Sequence, residues 1–571
     1  MPLRFFQKSI SLLLKKQTNI LSAAFILMAT AILSQIFGLI RQRLLVGTFG
    51  ASDTLGVYLT ASKFPDFLFQ LIIAGALATA FIPIFSEYLG KGKKDESNRM
   101  ASTLLSIGLV FFGIISLILF IFAPFILQFF NLGSGYSPSQ MDLMASLMRV
   151  IIIGEMIFLV ASFFSAILQS NNNFFIAGVS AALYNFGIII GILLLSDKIG
   201  IYAPAIGIII GALIFTLVQA PFVFKTGFRY IPSFSLKIPG VMSVINLMGP
   251  RTLNILIFQL GTLIVVAIIS FLPSSGRSYV IYDYALTLAF APIVLFGQTI
   301  GQAALPILSK ERERLETFKE LFVGSFNQIL YLILPVSVLF LVLRIPVVRL
   351  IYGASQFDWE ATVLTGRTLA FFSLSIFAVA LIYLVSRAFY ALQDTKTPLI
   401  VTTLTTVISI LLSILFVSYW SSNLERISEV YSSTFRLIPV GVESIAFAYS
   451  IGMIINLIIL LILLNTKINF FGIKSFLIPQ IKIFICALFM GIALYIPIKL
   501  LDQLVFDTTR TVNLILLTGI SSLIGILIYF FLTWLLNVKE AGTFLLLFKR
   551  VGGWKEVVGK SEKIIQPNIG Q

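Results

Sequence analysis

The residues of this sequence best suited to chemistry are three cations that lie within or at the start of apolar stretches: Arg41, Lys63 and Arg251. An arginine presents a planar fork of donors that can grip a phosphate group, and a lysine supplies a compact positive charge. Arg41 could point into a cavity and hold an anion there, or its side chain could extend outward to water, the interpretation that we favour for Arg43. Arg251 opens an apolar stretch that also contains Gln259, and it could equally contact a lipid headgroup. We predict a substrate site built around these cations.

Acidic residues in similar surroundings form a second group of candidates. Lys63 and Asp66 are three positions apart, so they can pair on one face of a helix and neutralise each other. Glu155 lies in the middle of an apolar stretch, where it could bind a proton or a cation, or pair with an arginine such as Arg149. The carboxylates that we consider for coupling to a monovalent cation or a proton are Asp66, Glu155, Asp283 and Asp394.

The composition requires a lipid bilayer around most of the chain. Hydrophobic residues make up 58% of the 571 positions and charged residues only 11%. A water-soluble fold could not hide so much apolar surface, whereas each spanning helix needs about 20 apolar residues. We therefore predict an all-α polytopic membrane protein with about 14 transmembrane helices. They are expected near residues 20–48, 55–86, 101–130, 142–169, 174–196, 201–224, 251–272, 279–308, 321–352, 362–392, 398–420, 441–465, 476–498 and 511–537.

The distribution of Lys and Arg predicts how these helices are oriented. If both termini are cytoplasmic, the inner segments carry 24 of these residues and the outer loops six. Cytoplasmic loops are normally the richer in positive charge, which favours that orientation. The inner loops also account for most of the net charge of +16, so the basic composition gives no reason to expect a nucleic-acid partner.

Residue types that commonly carry catalysis are scarce. The chain contains no histidine, and its single cysteine, Cys486, lies in an apolar stretch. A lone cysteine forms no intrachain disulfide and no cysteine metal site. No glycine-rich loop ending in Gly-Lys-Ser/Thr is present, so ATP hydrolysis is not expected, and an ion gradient or the membrane potential would supply energy. We predict a protein that is not an enzyme and that holds neither a cofactor nor a metal.

Two internal echoes indicate a duplicated helical bundle. The stretch from Ala80 to Glu87 returns from Ala303 to Lys310, and the pair 165–169 and 389–393 falls at nearly the same offset. Repeats of this kind commonly frame a substrate path between two halves of a transporter. The predicted organisation is a basic amphipathic segment, two six-helix lobes related by the repeat, two further helices and a cytosolic tail. Their bounds are 1–19, 20–240, 241–465, 466–537 and 538–571.

Three motifs resemble the MurJ (MviN) family of lipid II flippases, within the multidrug/oligosaccharidyl-lipid/polysaccharide exporter superfamily. The first is Ser34-Gln-Ile-Phe-Gly-Leu-Ile-Arg41, followed by Phe49-Gly50-Ala51. The second is Gly75-Ala76 with Ala80-Phe-Ile-Pro-Ile-Phe-Ser-Glu-Tyr88. The third and most specific is Arg387-Ala-Phe-Tyr-Ala-Leu-Gln-Asp-Thr-Lys-Thr-Pro398. The resemblance extends over about residues 20–540 and implies 14 helices with both termini inside the bacterial plasma membrane.

The resemblance also implies a function and a site. Members flip an undecaprenyl-pyrophosphate-linked peptidoglycan precursor, lipid II, from the inner to the outer leaflet by alternating access, using cavity arginines that bind the pyrophosphate. The implied partners are this polyprenyl-pyrophosphate glycolipid, membrane lipids and cell-wall synthesis enzymes. Arg41 matches the first-helix arginine, and Lys63 falls where the family tends to have a basic residue. Other charged positions of the family are occupied by uncharged residues here: Gln35, Gln42, Gly56, Phe69 followed by Gln70, Thr287 and Phe290.

The loss of cavity arginines leaves two alternatives beside lipid II transport. One is export of a different polyprenyl-linked glycan or of drug-like cargo, because fewer cations would hold a pyrophosphate less firmly. The other is a non-transporting membrane scaffold for wall synthesis. The substrate-site prediction therefore contains Arg41, Lys63, Arg251, Gln35, Gln70 and Gln259.

Overall fold

The structure is a computed structural model that describes residues 20–71, 80–130, 132, 135–353, 356–422, 441–504 and 511–542. The regular elements of these residues are helical. In chain order they are α1 (Ile20–Phe49), α2 (Asp53–Phe69), α3 (Ile82–Gly90), α4 (Lys94–Phe129), α5 (Pro138–Ser170), α6 (Phe174–Ile199), α7 (Tyr202–Lys225), α8 (Val241–Ile269), α9 (Ser275–Pro292), α10 (Thr299–Lys310), α11 (Leu315–Val342), α12 (Arg344–Tyr352), α13 (Trp359–Ala391), α14 (Lys396–Ser422), α15 (Val442–Ile468), α16 (Ile478–Leu504) and α17 (Thr511–Leu535). Short π-helical segments occupy Ile293–Gln298 and Ile473–Leu477.

The protein is a multi-span membrane protein. Within the described residues, 11 helices are long and apolar enough to cross a bilayer by length and composition. They are Lys94–Phe129, Pro138–Ser170, Phe174–Ile199, Tyr202–Lys225, Ser275–Lys310, Leu315–Val342, Trp359–Ala391, Lys396–Tyr419, Val442–Ile468, Ile478–Leu500 and Thr511–Leu535. The all-α polytopic class is thereby confirmed, while the total of 14 spans stays a prediction. The predicted surface segment 1–19 and nearly all of the tail 538–571 lie outside the described residues.

The chain forms two compact units. The first contains residues 1–284, 351–365 and 406–445, and the second contains 285–350, 366–405 and 446–571. In the first unit, helices α6 and α7 approach closely because glycines face each other across the contact. A methyl group at Gly187 would overlap the backbone of Gly211, and one at Gly191 would overlap that of Gly207. Small residues at such crossings let backbones pack tightly where no hydrophobic effect drives helices together.

Polar side chains add specific bonds between helices of the first unit. Asn185 on α6 donates to the carbonyl of Ser34 on α1 at 3.3 Å. Gln219 on α7 donates to Ser165 on α5 at 3.0 Å. Buried hydrogen bonds of this kind fix which helix faces which, because an unpaired amide in an apolar interior is costly.

The second unit is held by similar bonds. Asn456 on α15 donates to Thr405 on α14 at 2.8 Å, and Tyr529 on α17 donates to the carbonyl of Tyr331 on α11 at 2.9 Å. Large apolar side chains on several helices stay exposed, which is expected where lipid is the neighbour. Leu488 on α16, for example, is 63% exposed.

The two echoed sequences occupy corresponding places. Residues 165–169 lie near the end of α5, and 389–393 span the end of α13. In each case the helix ends in a turn that contains a residue with positive φ before a further helix begins. This residue is Asn172 (60°), after the first stretch, and Gln393 (62°), the last residue of the second. The repeat inferred from the sequence stays a prediction.

Candidate functional site

A group of polar and charged side chains lies among the helices of the first unit. We call it the Glu155 cluster; its members are Arg41 on α1, Tyr58 and Asp66 on α2, Glu155 on α5 and Tyr184 on α6. They lie close enough to interact electrostatically: Asp66 with Arg41 and Glu155, and Tyr58 and Tyr184 with all three charged groups. Nothing in the sequence indicates that these residues are neighbours, and the fold brings them together.

Glu155 is the most secluded member of the cluster. Its side chain is buried, with the residue only 4% exposed, and its Oε2 atom has no hydrogen-bond partner among the described residues. The pairing with Arg149 that the sequence left open does not occur. Arg149 instead donates to the carbonyl of Phe120 at 2.9 Å and lies over the ring of that residue. Its guanidinium is therefore engaged by α4, on another side of α5.

Arg41 also has an unused donor. Its Nε is buried and has no hydrogen-bond partner among the described residues, although the guanidinium interacts electrostatically with Asp66. A guanidinium with a buried, unsatisfied N–H is prepared to bind an oxyanion, because an unpaired donor in such surroundings is costly. The structure thus places Arg41 inside the helix assembly and not at its lipid surface.

Lys63 pairs with a partner far away in sequence. Its Nζ donates to Oδ1 of Asp283 on α9 at 3.2 Å, and the ring of Tyr279 lies 5.5 Å from the same nitrogen. The predicted ion pair with Asp66 was wrong, because Asp283 reaches Lys63 from the neighbouring helix while Asp66 interacts with it only at longer range. The candidates Lys63, Asp66 and Asp283 are nevertheless neighbours in one network.

Glutamine candidates occupy two different environments. Gln259 on α8 is buried and donates through Nε2 to Oε1 of Gln70, just beyond α2. Gln35 on α1 is exposed. Phe69, which falls where the resemblance implies a second-helix arginine, packs on Phe158 with ring centroids 4.9 Å apart. A contact between two aromatic rings thus occupies the position of the implied arginine. Phe158, one of the two, lies one helical turn from Glu155.

Arg251 and Asp394 differ from the remaining candidates. The backbone of Arg251 is helical within α8, but its side chain lies outside the described residues. Asp394 lies in the turn before α14, where it accepts hydrogen bonds from the backbone N–H and the hydroxyl of Thr397 and pairs with Lys467 at 3.1 Å. Partial burial opposes ionisation there, but these partners outweigh it and lower the pKa of Asp394 to about 2. Its charge is therefore balanced within the second unit.

The structure contains a second charged group that was not predicted from the sequence. In this Arg277 cluster, Arg277 at the start of α9 holds Asp358 at 2.8 Å and Glu360 at 3.0 Å, while its backbone N–H donates to Asp53 at 2.9 Å. Partial burial opposes ionisation of Asp358, but hydrogen bonds from Arg277 and from the Ala361 backbone lower its pKa. The cluster joins the N-terminal ends of α2, α9 and α13. The signal available in the sequence was an arginine in a short polar loop and an Asp-Trp-Glu that begins a helix.

Neighbouring contacts in the first unit strengthen this end of the structure. A methyl group at Gly56 would overlap the backbone of Gly276, so α2 and α9 cross at a distance that only glycine permits. Arg43 donates to the carbonyls of Ile351 and Gly353, both at 3.1 Å. The hydroxyl of Tyr352 donates to the side chain of Gln42 at 2.9 Å. Arg43 thus bonds to the backbone of a distant segment, where the sequence favoured a side chain extended to water.

Comparison with known proteins adds independent evidence. A model of the family described as lipid II flippase MurJ matches residues 45–516. A probable lipid II flippase MurJ from Thermotoga maritima is 29% identical over 382 residues, which are 67% of this chain and 76% of that protein. A second, from Bdellovibrio bacteriovorus, is 23% identical over 532 residues, covering 91% of this chain and 96% of its own.

Solved structures share the fold. A lipid II flippase MurJ in an inward closed conformation has a TM-score of 0.71 at 24% identity, with 90% of this chain and 98% of that chain covered. An inward-facing multidrug resistance MATE family transporter of the MOP superfamily has a TM-score of 0.61 at 13% identity. The match covers 78% of this chain and 98% of that chain. The resemblance inferred from the three sequence motifs is confirmed. Since the family model spans most of the sequence, this chain belongs to the lipid II flippase MurJ family.

Proposed function

We propose that this protein moves lipid II, the undecaprenyl-pyrophosphate-linked peptidoglycan precursor, from the inner to the outer leaflet of the bacterial plasma membrane by alternating access. The observation that carries the proposal is the family match over residues 45–516. Both termini are assigned to the cytoplasm on the distribution of positive charge in the loops. The protein acts as a transporter, and its energy comes from the membrane potential or an ion gradient.

Arg41 is the residue that we assign to the pyrophosphate. It lies within the first unit, carries a buried N–H without a partner and belongs to the family's first-helix motif. Lys63 supports it electrostatically, although Asp283 already neutralises much of that charge at 3.2 Å. Gln259 and Gln70 offer amide groups to the polar parts of the head, and Gln35 and Arg251 complete the proposed set. Charge-assisted bonds are worth about 1.5–3 kcal/mol each, so one well-placed arginine matters.

The Arg277 cluster provides the element that must open during transport. In the predicted orientation it lies on the outer face, where it binds the start of α2 to the starts of α9 and α13. A path to the outer leaflet requires these ion pairs to separate. Alternating access commonly works by rocking of helical repeats around a fixed site, so a group of salt bridges at one end is a suitable gate.

The experiment that tests the proposal uses purified protein in vesicles with fluorescent lipid II. We expect Arg41→Ala to reduce transport by about 10-fold or more, the equivalent of one lost charge-assisted interaction. Arg41→Lys should retain part of the activity, because it keeps the charge but not the fork. Arg149→Ala is the matched control, since it removes a membrane arginine that contacts only α4 in the described contacts. Equal transport by Arg41→Ala and Arg149→Ala would disprove the role of Arg41.

A second candidate function is export of another polyprenyl-diphosphate glycan. The observation that favours it is the aromatic contact of Phe69 with Phe158, which occupies the place of a family arginine. Competition between lipid II and other polyprenyl-linked glycans in the same vesicles separates the two functions. Preference for another glycan over lipid II would favour this candidate.

A further inference from the structure

Among the side chains that the structure describes, the charges around Glu155 do not balance. The connected groups that the structure describes on α1, α2, α5 and α9 are two cations, Arg41 and Lys63, and three carboxylates, Asp66, Glu155 and Asp283. The other titratable groups that face them are tyrosines, which are neutral near physiological pH: Tyr58, Tyr184, Tyr279, Tyr282, Tyr284 and Tyr352. If every one of these carboxylates were ionised, the described groups, which do not include the side chain of Arg251, would carry one excess negative charge.

The excess charge falls on Glu155. Asp283 has Lys63 at 3.2 Å, and Asp66 interacts with both Lys63 and Arg41. Glu155 interacts with Asp66, which is a like charge, and its Oε2 has no described hydrogen-bond partner. An ionised carboxylate buried without a counter-ion is strongly unfavourable, so such a group takes up a proton or a cation. Two carboxylates that interact as like charges resist ionising together, which favours one proton on the pair.

The walls of the site keep water away from Glu155. The ring of Phe158, one turn further along α5, packs against three other aromatic rings. The distances between ring centroids are 4.7 Å to Tyr184, 5.2 Å to Phe215 and 4.9 Å to Phe69. Gly154 lets α7 approach closely, because a methyl group there would meet Ile208 at 2.6 Å. These contacts limit the solvation of Glu155 by water, so solvent compensates its charge only weakly.

We propose that Glu155 and Asp66 share one exchangeable proton, and that this proton site is linked to anion binding at Arg41. An anion that binds Arg41 displaces the interaction of Arg41 with Asp66. Asp66 and Glu155 then hold their proton more firmly, because less positive charge compensates them. By linkage, protonation of the pair strengthens anion binding to the same extent that the anion strengthens protonation. This deepens the proposed function and rests on it only for the identity of the anion.

A proton fits this site better than a metal ion. Two cationic side chains are part of the network, and they would repel sodium or a divalent ion. Among the described residues there is no group of three or more His, Cys, Asp or Glu side chains that could hold a metal. Neutralisation by a proton needs no further ligands.

The first experiment needs no substrate. Infrared spectra of the purified wild type and of Glu155→Gln are compared at neutral pH, and we expect their difference to contain the carbonyl stretch of a protonated carboxyl group. Asp66→Asn should shift that band or its titration, because it removes the partner that shares the proton. Glu96→Gln is the control, since Glu96 lies at an exposed helix start and pairs with Lys93 at 3.0 Å. If Glu155→Gln does not fold, the infrared band is instead followed as a function of pH in the wild type and in Asp66→Asn, and the two titrations are compared.

The second experiment measures binding of lipid II, with inorganic pyrophosphate as a mimic of its head. In the wild type, affinity should fall as pH rises through the titration of the pair, by up to about 10-fold per pH unit for one linked proton. In Glu155→Gln the affinity should vary much less with pH. A band that is absent at neutral pH, or unaltered by Asp66→Asn, overturns the proposal. So does a response to sodium at constant pH in place of the response to pH.

The two experiments separate this inference from the proposed function. Failure of lipid II to bind, with the infrared band present and sensitive to Asp66→Asn, contradicts the assignment of substrate and leaves the proton site standing. Transport of lipid II without the band contradicts the proton site alone.

Discussion

At the scale of single residues, the decisive feature is which partner each buried charge finds. Lys63 contacts Asp283 at 3.2 Å, 220 positions later in the chain, and not Asp66 three positions away. Arg41 and Glu155 each keep a buried polar atom unsatisfied. Unsatisfied polar atoms inside a protein are uncommon, and each calls for an explanation such as a bound water, ion or ligand. Lys63 and Asp283 satisfy each other as an ion pair, whereas Arg41 and Glu155 each keep an atom that a ligand or a proton could satisfy.

The pair formed by Lys63 and Asp283 should show this structural role in a double-mutant cycle. Lys63→Met leaves Asp283 partly buried and without its counter-ion, so we expect a loss of about 1.5–3 kcal/mol of stability. Adding Asp283→Asn should recover part of that loss, because the uncompensated charge is then gone. Thermal unfolding in detergent measures all four proteins. Additive effects of the two substitutions would show that the pair contributes no coupling energy.

At the scale of elements, helix ends carry much of the specificity. Asp394 caps the start of α14 through Thr397 and ties it to the end of α15 through Lys467. Asp358 caps α13 by accepting from the Ala361 backbone N–H at 2.6 Å and also holds Arg277. Such caps satisfy backbone donors that a helix start leaves unpaired. The same side chains therefore begin a helix and join it to another.

The turn at Asp394 should make stability depend on pH. The pKa of Asp394 is lowered to about 2 in the folded protein. A carboxylate with a lowered pKa stabilises the fold above its unfolded value of about 4, and this contribution is lost as pH falls toward the folded value. We expect Asp394→Asn to be less stable than the wild type at neutral pH, and the difference to shrink between about pH 4 and pH 2. Unfolding temperatures across that range test it; a constant difference would contradict the assignment.

At the scale of the whole molecule, transport requires that contacts in the first unit break and re-form. The Arg277 cluster and the crossing of Gly56 with Gly276 join segments that are more than 200 positions apart in sequence. The ion pairs are partly exposed, with the side chain of Arg277 at 25%, so they are individually weak and can be exchanged for water. Because the Arg277 cluster combines several bonds, it can hold the helix ends together. Because each bond is weak, the cluster can also separate.

Locking this gate should stop transport. In a background with Cys486→Ser, the pair Arg277→Cys and Asp358→Cys can be joined by a cleavable thiol reagent that spans the distance of the original ion pair. We expect transport of lipid II to cease on cross-linking and to return on cleavage. The control pair is Lys93→Cys and Glu96→Cys, which lie around the start of one helix and form an exposed ion pair at 3.0 Å. Transport that continues while the Arg277 and Asp358 positions are joined would exclude this cluster as a gate.

The sequence by itself determined the class of the protein, its membrane environment and its family. Length, apolar content and the positions of polar loops are local properties, and a spanning helix satisfies all its backbone bonds within its own segment. The motifs around Arg41, Ala80 and Arg387 are equally local, so the family could be recognised without any tertiary contact.

Only the tertiary structure decided how the charges pair. Spacing along one helix suggested a pair of Lys63 with Asp66, and the sequence left open a pair of Glu155 with Arg149. In the structure a neighbouring helix supplies Asp283 to Lys63, and Glu155 interacts with a like charge. The Arg277 cluster likewise unites three helix ends that no spacing rule connects. The physical reason is that electrostatic energy depends on distance in space and on burial, and both are set by the packing of helices far apart in the chain.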